Sequence, residues 1–136
     1  MGSSRLFCSV KQMNQHSERV VILGASDKPD RYAHRAFVML RKYGHEAVPV
    51  HPVLREIEGV PVAKDLASVE GAIDTLTLYV NPTISEGLAN AIVSLRPGRV
   101  IFNPGTESAT LEARLTGAEI PFEEACTLVL LQTGQF

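Results

Sequence analysis

The chain has 136 residues, of which 45% are hydrophobic and 21% charged, the balance of an ordinary globular domain with room for a substantial core. Thirteen Lys and Arg against fifteen Asp and Glu give a formal net charge of −2, which excludes a general basic surface for nucleic acid or anionic membrane, so any anion site must be local. No run approaches the ~18 apolar residues of a membrane span, the N-terminal stretch lacks the apolar core of a signal peptide, and the two cysteines, Cys8 and Cys126, have no zinc spacing. The expectation is a cytoplasmic protein with reduced thiols.

Residues 1–18 are polar without a sustained period and read as a mobile arm, leaving one domain over residues 19–136. "RVVILG" from Arg19 is a short β-branched run, as in a strand buried on both faces. In "RYAHRAFVMLRKYG", Ala33, Ala36, Phe37 and Leu40 fall on one helical face, and Gly44 stands where a left-handed residue closes a helix. "HEAVPV" is a second strand; Pro49 inside it points to an edge position, a bulge or a short strand. A longer crossover follows, with a short helix near Leu66–Val69. "DTLTLYV" is the third strand. "PTISEGLANAIVSLRPG" is one helix with Thr83 and Glu86 at capping-box spacing and Pro82 in its first turn. "RVIFN" is strand four, and a helix starts near Thr106. "EIPFEE" is a last short strand, and "ACTLVLLQTG" is an apolar helix or extended tail on the sheet. Strands alternating with helices in this way predict a three-layer α/β Rossmann-like domain with a mostly parallel sheet of about five strands.

Ligands of such sheets bind beyond the carboxyl ends of the strands, at the point where strand order reverses. After strand one comes "GASDKPDR". Gly24, Ala25 and Ser26 keep the backbone near the surface, the following helix start offers unpaired N–H groups, and Lys28 and Arg31 add full positive charges: an anion loop. A dinucleotide fingerprint has three glycines there and an acid about 20 residues later for the ribose; this chain has Gly24 alone, and strand two ends in Val50-His51-Pro52. Both departures weigh against NAD. NADP is a weaker alternative, since a basic residue can meet its 2′-phosphate, and no Walker A loop is present. Val80, Asn81 and Pro82 after strand three, and Asn103, Pro104 and Gly105 after strand four, cluster at the same edge. Taken one by one, prolines and asparagines at such places equally stop strands and cap helices.

"VVILGASDKPDRYAHRA", "AVPVHPVLREIEGVPVAKDLASV" and "DTLTLYVNP" resemble the small stand-alone CoA-binding domain proteins, which are similar to the N-terminal CoA-binding domain of the succinyl-CoA synthetase α subunit. The resemblance runs from Arg19 to the C-terminus; its most specific parts are G-A-S-x-K-P-x-R and the P-V-x-P segment, where the family usually has Asn and this chain has His51. It implies CoA or an acyl-CoA as ligand, with Gly24, Ala25, Ser26, Lys28 and Arg31 facing the phosphates. His51, Pro52, Val80, Asn81 and Pro82 would border the nucleotide, and Asn103, Pro104 and Gly105 the pantetheine path. It also implies a carrier, a sensor or a subunit of an acyl-CoA system rather than an enzyme. A regulatory NAD(P)-binding domain and an interaction domain without ligand are the alternatives.

The residues themselves offer no catalytic constellation. His16, His34, His45 and His51 are scattered without ligand spacing, so no metal site is expected, and a lone histidine is more often structural. The phosphorylated histidine of the synthetases belongs to a later domain that has no counterpart here. Cys126 follows Glu123 and Glu124, whose charge disfavours a thiolate, although a helix N-terminus at Cys126 would favour one. Oligomeric state and protein partners are not legible in the sequence.

Overall fold

The computed structural model describes residues 17–136, so the expected mobile arm falls, for residues 1–16, outside the described residues. In chain order the elements are β1 (Arg19–Leu23), α1 (Tyr32–Lys42), β2 (Glu46–Val50), β3 (Glu56–Ile57), β4 (Val60–Pro61), a 3₁₀ turn (Leu66–Ser68) and β5 (Thr75–Leu78). Then come α2 (Pro82–Gly87), α3 (Ala89–Leu95), β6 (Arg99–Phe102), α4 (Ala109–Gly117), β7 (Phe122–Glu124) and α5 (Thr127–Gln132). Five strands form one parallel sheet in the order β2-β1-β5-β6-β7, the Rossmann-like architecture the alternating pattern predicts. The chain passes from β1 to β2 on one side and then crosses back to β5 on the other side of β1, so the strand order reverses at β1.

Period-two alternation divides β1 between two cores. Val21 and Leu23 pack with Leu76, Leu78, Ile92, Leu111 and Leu115 on the face covered by α3 and α4. Val20 and Ile22 pack with Ala33, Phe37, Leu40 and Leu131 on the face covered by α1 and α5. The apolar face read for α1 is buried as expected, and Phe37 and Leu40 are fully inaccessible, each such side chain contributing roughly 1.5–3 kcal/mol. Past Tyr43, Gly44 has φ +89°; its N–H donates to the Arg41 carbonyl at 3.0 Å and the His45 N–H to the Leu40 carbonyl at 2.9 Å. This paired closure is a Schellman motif. Pro49 lies in the edge strand, where its missing N–H breaks no ladder on the outer side. Ser17 and Glu18 are tied to the fold: the Ser17 hydroxyl donates to the Gly44 carbonyl, and the Glu18 carboxylate accepts from Thr75.

Three local expectations are corrected. The cap of α2 is Asn81, whose side chain accepts from the Ile84 N–H at 3.0 Å, rather than the Thr83–Glu86 box. Pro82 is the first helical residue and holds Asn81 in the extended region that an N-cap needs. The single helix expected after it breaks at Leu88, just past Gly87, into α2 and α3. The helix expected from Thr106 starts at Ala109, because the Ser108 side chain takes the cap by accepting from the Leu111 N–H. The crossover after β2 also holds an unforeseen hairpin, β3–β4, turning through Glu58 (φ +52°) and Gly59 (φ +82°). Two successive positive φ values are what a type I′ turn requires.

Candidate functional site

A cleft of about 790 Å³ opens at the carboxyl ends of β1, β2 and β5, where the strand order reverses. Leu23 to Lys28 and Arg31 line it from the first loop, Val50, His51, Pro52 and Leu54 from the end of β2, and Lys64, Asp65 and Leu66 from beyond the hairpin. Val80, Ile84 and Leu88 close it from the β5 side.

The first loop is held by two constraints. The Gly24 and Ala25 N–H groups both donate to the Val50 carbonyl at 3.2 Å, pulling the loop over the end of β2. Gly24 has φ +90°, and a Cβ there would lie 2.7 Å from Val80 Cγ1 and 2.9 Å from the Tyr79 carbonyl oxygen, so only glycine fits. The Ser26 hydroxyl accepts from the Lys28 N–H at 3.1 Å, and the Arg31 N–H donates to the Lys28 carbonyl, which shapes the turn into α1. Arg31 is the N-cap of α1 but makes no capping hydrogen bond with its side chain, and the first turn holds no acid. The start of α1 thus has neither a side-chain cap nor an acid of its own in its first turn.

His51 performs the local task of an asparagine. Its Nδ1 accepts from the Val53 and Leu54 N–H groups at 3.0 and 3.1 Å, closing the turn after β2. In the neutral ring the proton then sits on Nε2, which remains as a donor. Beside it, Ala63 pairs with the outer side of β2: its N–H donates to the Pro49 carbonyl, and its carbonyl accepts from the His51 N–H. That short bridge brings Lys64 and Asp65 to the cleft. Asp65 Oδ1 accepts from the Ser68 N–H and hydroxyl at 2.9 and 2.7 Å, capping the 3₁₀ turn. The Ser68 hydroxyl, first, holds this carboxyl below its ordinary range against the opposing effect of desolvation, with the Ser68 amide and Lys64 adding to the lowering. Around the cleft three cations, Lys28, Arg31 and Lys64, stand against two carboxylates, Asp27 and Asp65, the reverse of the chain's net charge.

The structure gathers Gly24, Ala25, Ser26, Lys28, Arg31, His51, Pro52 and Val80 around the cleft, and does not bring Asn81, Pro82, Asn103, Pro104 or Gly105 to its lining. Asn81 and Pro82 are the start of α2, and Pro104 and Gly105 form an exposed turn. Asn103 is 2% exposed, and its amide is fully engaged. Nδ2 donates to Thr77 Oγ1 at 2.6 Å and to the Leu78 carbonyl at 2.8 Å, and Oδ1 accepts from the Thr127 N–H at 2.9 Å. It ties β5, β6 and the start of α5 together. Sequence reading missed Lys64, Asp65, Leu54, Leu66, Ile84 and Leu88. Ile84 and Leu88 carried a signal, being apolar i, i+4 partners on the helix that follows a site strand.

Two further groups lie away from the cleft lining. Cys126 is the half-buried N-cap of α5, at a helix start as foreseen. Tyr79 buries its hydroxyl without a hydrogen-bond partner. Burial pushes its phenol up to about 12, while the nearby Thr127 and Thr77 hydroxyls oppose part of the rise. Among the described residues no group of His, Cys, Asp and Glu is arranged to hold a metal ion, and no helix is long and apolar enough to cross a membrane.

The CoA binding domain family model matches residues 18–132. The uncharacterised protein YneT of Bacillus subtilis is 33% identical over 70 residues, 52% of each chain, so the match spans about half of that relative's length. A solved structure described as an uncharacterised protein is 41% identical with a TM-score of 0.84, over 90% of this chain and all of that one. Cell-free ID.343 from Thermus thermophilus is 27% identical with a TM-score of 0.81, over 88% of this chain and 91% of that one. With the family model covering the whole sheet and every lining residue of the cleft, the chain belongs to the CoA binding domain family.

Proposed function

We propose that the protein binds CoA or an acyl-CoA in this cleft and serves as a carrier, a sensor or a subunit of an acyl-CoA system, without chemistry of its own. The observation that carries the reading is the union, in one cleft, of an uncapped α1 start flanked by Lys28 and Arg31 with an apolar wall of Val80, Ile84 and Leu88. Such a surface suits a ligand that is polyanionic at one end and extended and weakly polar at the other. In this reading the pyrophosphate meets Gly24, Ala25, Ser26, Lys28 and Arg31, the adenosine lies toward His51 and Pro52, and the pantetheine follows the β5 side past Val80. Asn103, committed to Thr77, Leu78 and Thr127, has no part in it.

Thermal denaturation with CoA, dephospho-CoA, NAD and NADP tests the reading. A ligand at 100 times its Kd stabilises by about 2.7 kcal/mol, so CoA should raise the midpoint by several degrees and NAD should not. Lys28→Ala and Arg31→Ala should each weaken CoA roughly three- to tenfold, the effect of one partly solvated charge-assisted contact. No response to millimolar CoA, or unchanged affinity in both variants, would remove the loop from the site.

A further inference from the structure

Resting on the CoA reading of the cleft, we propose that Lys64 is a specificity residue that recognises a phosphate monoester on the ligand's ribose. The placement comes from the edge of the sheet. Ala63 is bridged to β2 through the Pro49 carbonyl and the His51 N–H at 3.0 and 2.9 Å, so the next residue emerges beside the carboxyl end of β2. In parallel sheets of this kind the ribose of a nucleotide lies at that strand end, where a carboxylate ordinarily accepts its hydroxyls. Here that end is Val50-His51-Pro52, without an acid, and a lysine faces the same cleft.

The charges sort accordingly. Lys28 and Arg31 line the cleft from the first loop, and Lys64 lines it from a different segment, the crossover beyond the β3–β4 hairpin. Among the described residues Lys64 makes no ion pair. The carboxylate next to it, Asp65, directs Oδ1 to the Ser68 amide and hydroxyl. His51, whose Nδ1 accepts from the Val53 and Leu54 amides, has Nε2 left as a donor and lines the same cleft. A ribose monoester carries about −1.5 to −2 charges near pH 7, and here it would find a cation and a donor, with Asp65, the carboxylate beside them, engaged through Oδ1 by Ser68.

Isothermal titration of the full chain with CoA, dephospho-CoA, NADP and NAD, alongside Lys64→Gln and Lys28→Ala, decides it. Wild type should prefer CoA over dephospho-CoA by about tenfold, the worth of one charge-assisted contact. Lys64→Gln should remove that preference by weakening CoA alone, while Lys28→Ala should weaken both ligands alike. A Lys64→Gln variant that loses both ligands equally, or keeps the preference, overturns the assignment with the CoA reading intact. Binding of NADP over NAD through Lys64, with no affinity for CoA, keeps the ribose-phosphate assignment and overturns the CoA reading. Binding of none of the four overturns both.

Discussion

Gly24→Ala is the substitution that most directly probes how the cleft is built. At φ +90° an L-residue is strained by about 1–2 kcal/mol. The new methyl would lie 2.7 Å from Val80 Cγ1, 2.9 Å from the Tyr79 carbonyl oxygen and 3.0 Å from its carbon. Val80 can rotate, but the Tyr79 backbone belongs to the end of the central sheet, so the loop must lift; such overpacking costs about 1–3 kcal/mol. Alanine recovers roughly 0.4–1 kcal/mol through the unfolded chain. The expected net loss is about 3 kcal/mol, or about 10 °C in Tm for a domain of this size. Gly44→Ala is the matched control, because Gly44 has φ +89° with nothing within 4 Å of its added Cβ, and should lose only about 1 kcal/mol. Urea unfolding followed by far-UV circular dichroism measures both, since the chain has no tryptophan. Equal losses in the two variants would refute the claim that contact with β5 fixes the loop. Val80→Ala in the Gly24→Ala background should rescue little, as the carbonyl contact remains.

His51→Asn should keep the turn after β2, because an amide oxygen can accept from Val53 and Leu54 as Nδ1 does; His51→Ala should lose about 1 kcal/mol, as a missing cap does. Glu112 has a buried carboxylate oxygen without a partner, and burial first, then Glu124 and Glu107, raises its carboxyl above the ordinary glutamate range. An acid raised in the folded state makes stability fall as pH climbs from the ordinary range through the raised value, with the penalty complete above it. Glu112→Gln should therefore stabilise at pH 7 and lose that advantage in acid; urea midpoints at pH 7 and pH 4 that shift alike would contradict this. Tyr79→Phe should cost nothing at pH 7, because the buried hydroxyl has no partner to lose. It should also remove a decline in stability between pH 10 and about 12, where the unfolded phenol ionises before the folded one. A loss above about 1 kcal/mol at pH 7 would mean that the hydroxyl is bonded after all.

Features with local causes were legible in the sequence. The face of α1 and the closure at Gly44 each follow from residues within a few positions of one another. What depends on distant partners was not legible. Asn103 at a strand end looks like a ligand residue, and nothing nearby in sequence announces that its amide bonds Thr77 and Thr127, 26 and 24 residues away. The hint was Thr77 itself, a hydroxyl in the "TLTL" strand that has to find a partner when buried. Lys64 was invisible for the same reason, since only the Ala63 bridge to β2 shows that a residue of the crossover reaches the cleft. The Thr83–Glu86 box had correct spacing but lost to Asn81, because proline at the next position fixes the extended geometry that a cap requires.

The scarcity of glycine in the first loop has a geometric explanation. In a dinucleotide fingerprint the helix begins almost at once after the strand, so further glycines are needed for the pyrophosphate to approach the backbone and for the helix to pack on the sheet. Here α1 does not begin until Tyr32, and residues 25–31 form an intervening loop. One glycine turns the chain where β5 presses on it, and the added length carries Lys28 and Arg31 to the cleft. Backbone proximity is thereby exchanged for fixed charge at the cleft. At the end of β2 the strand itself likewise carries no acid, and Lys64 arrives from the crossover together with Asp65. Two independent segments thus depart from the dinucleotide pattern, as the proposed CoA reading expects of both.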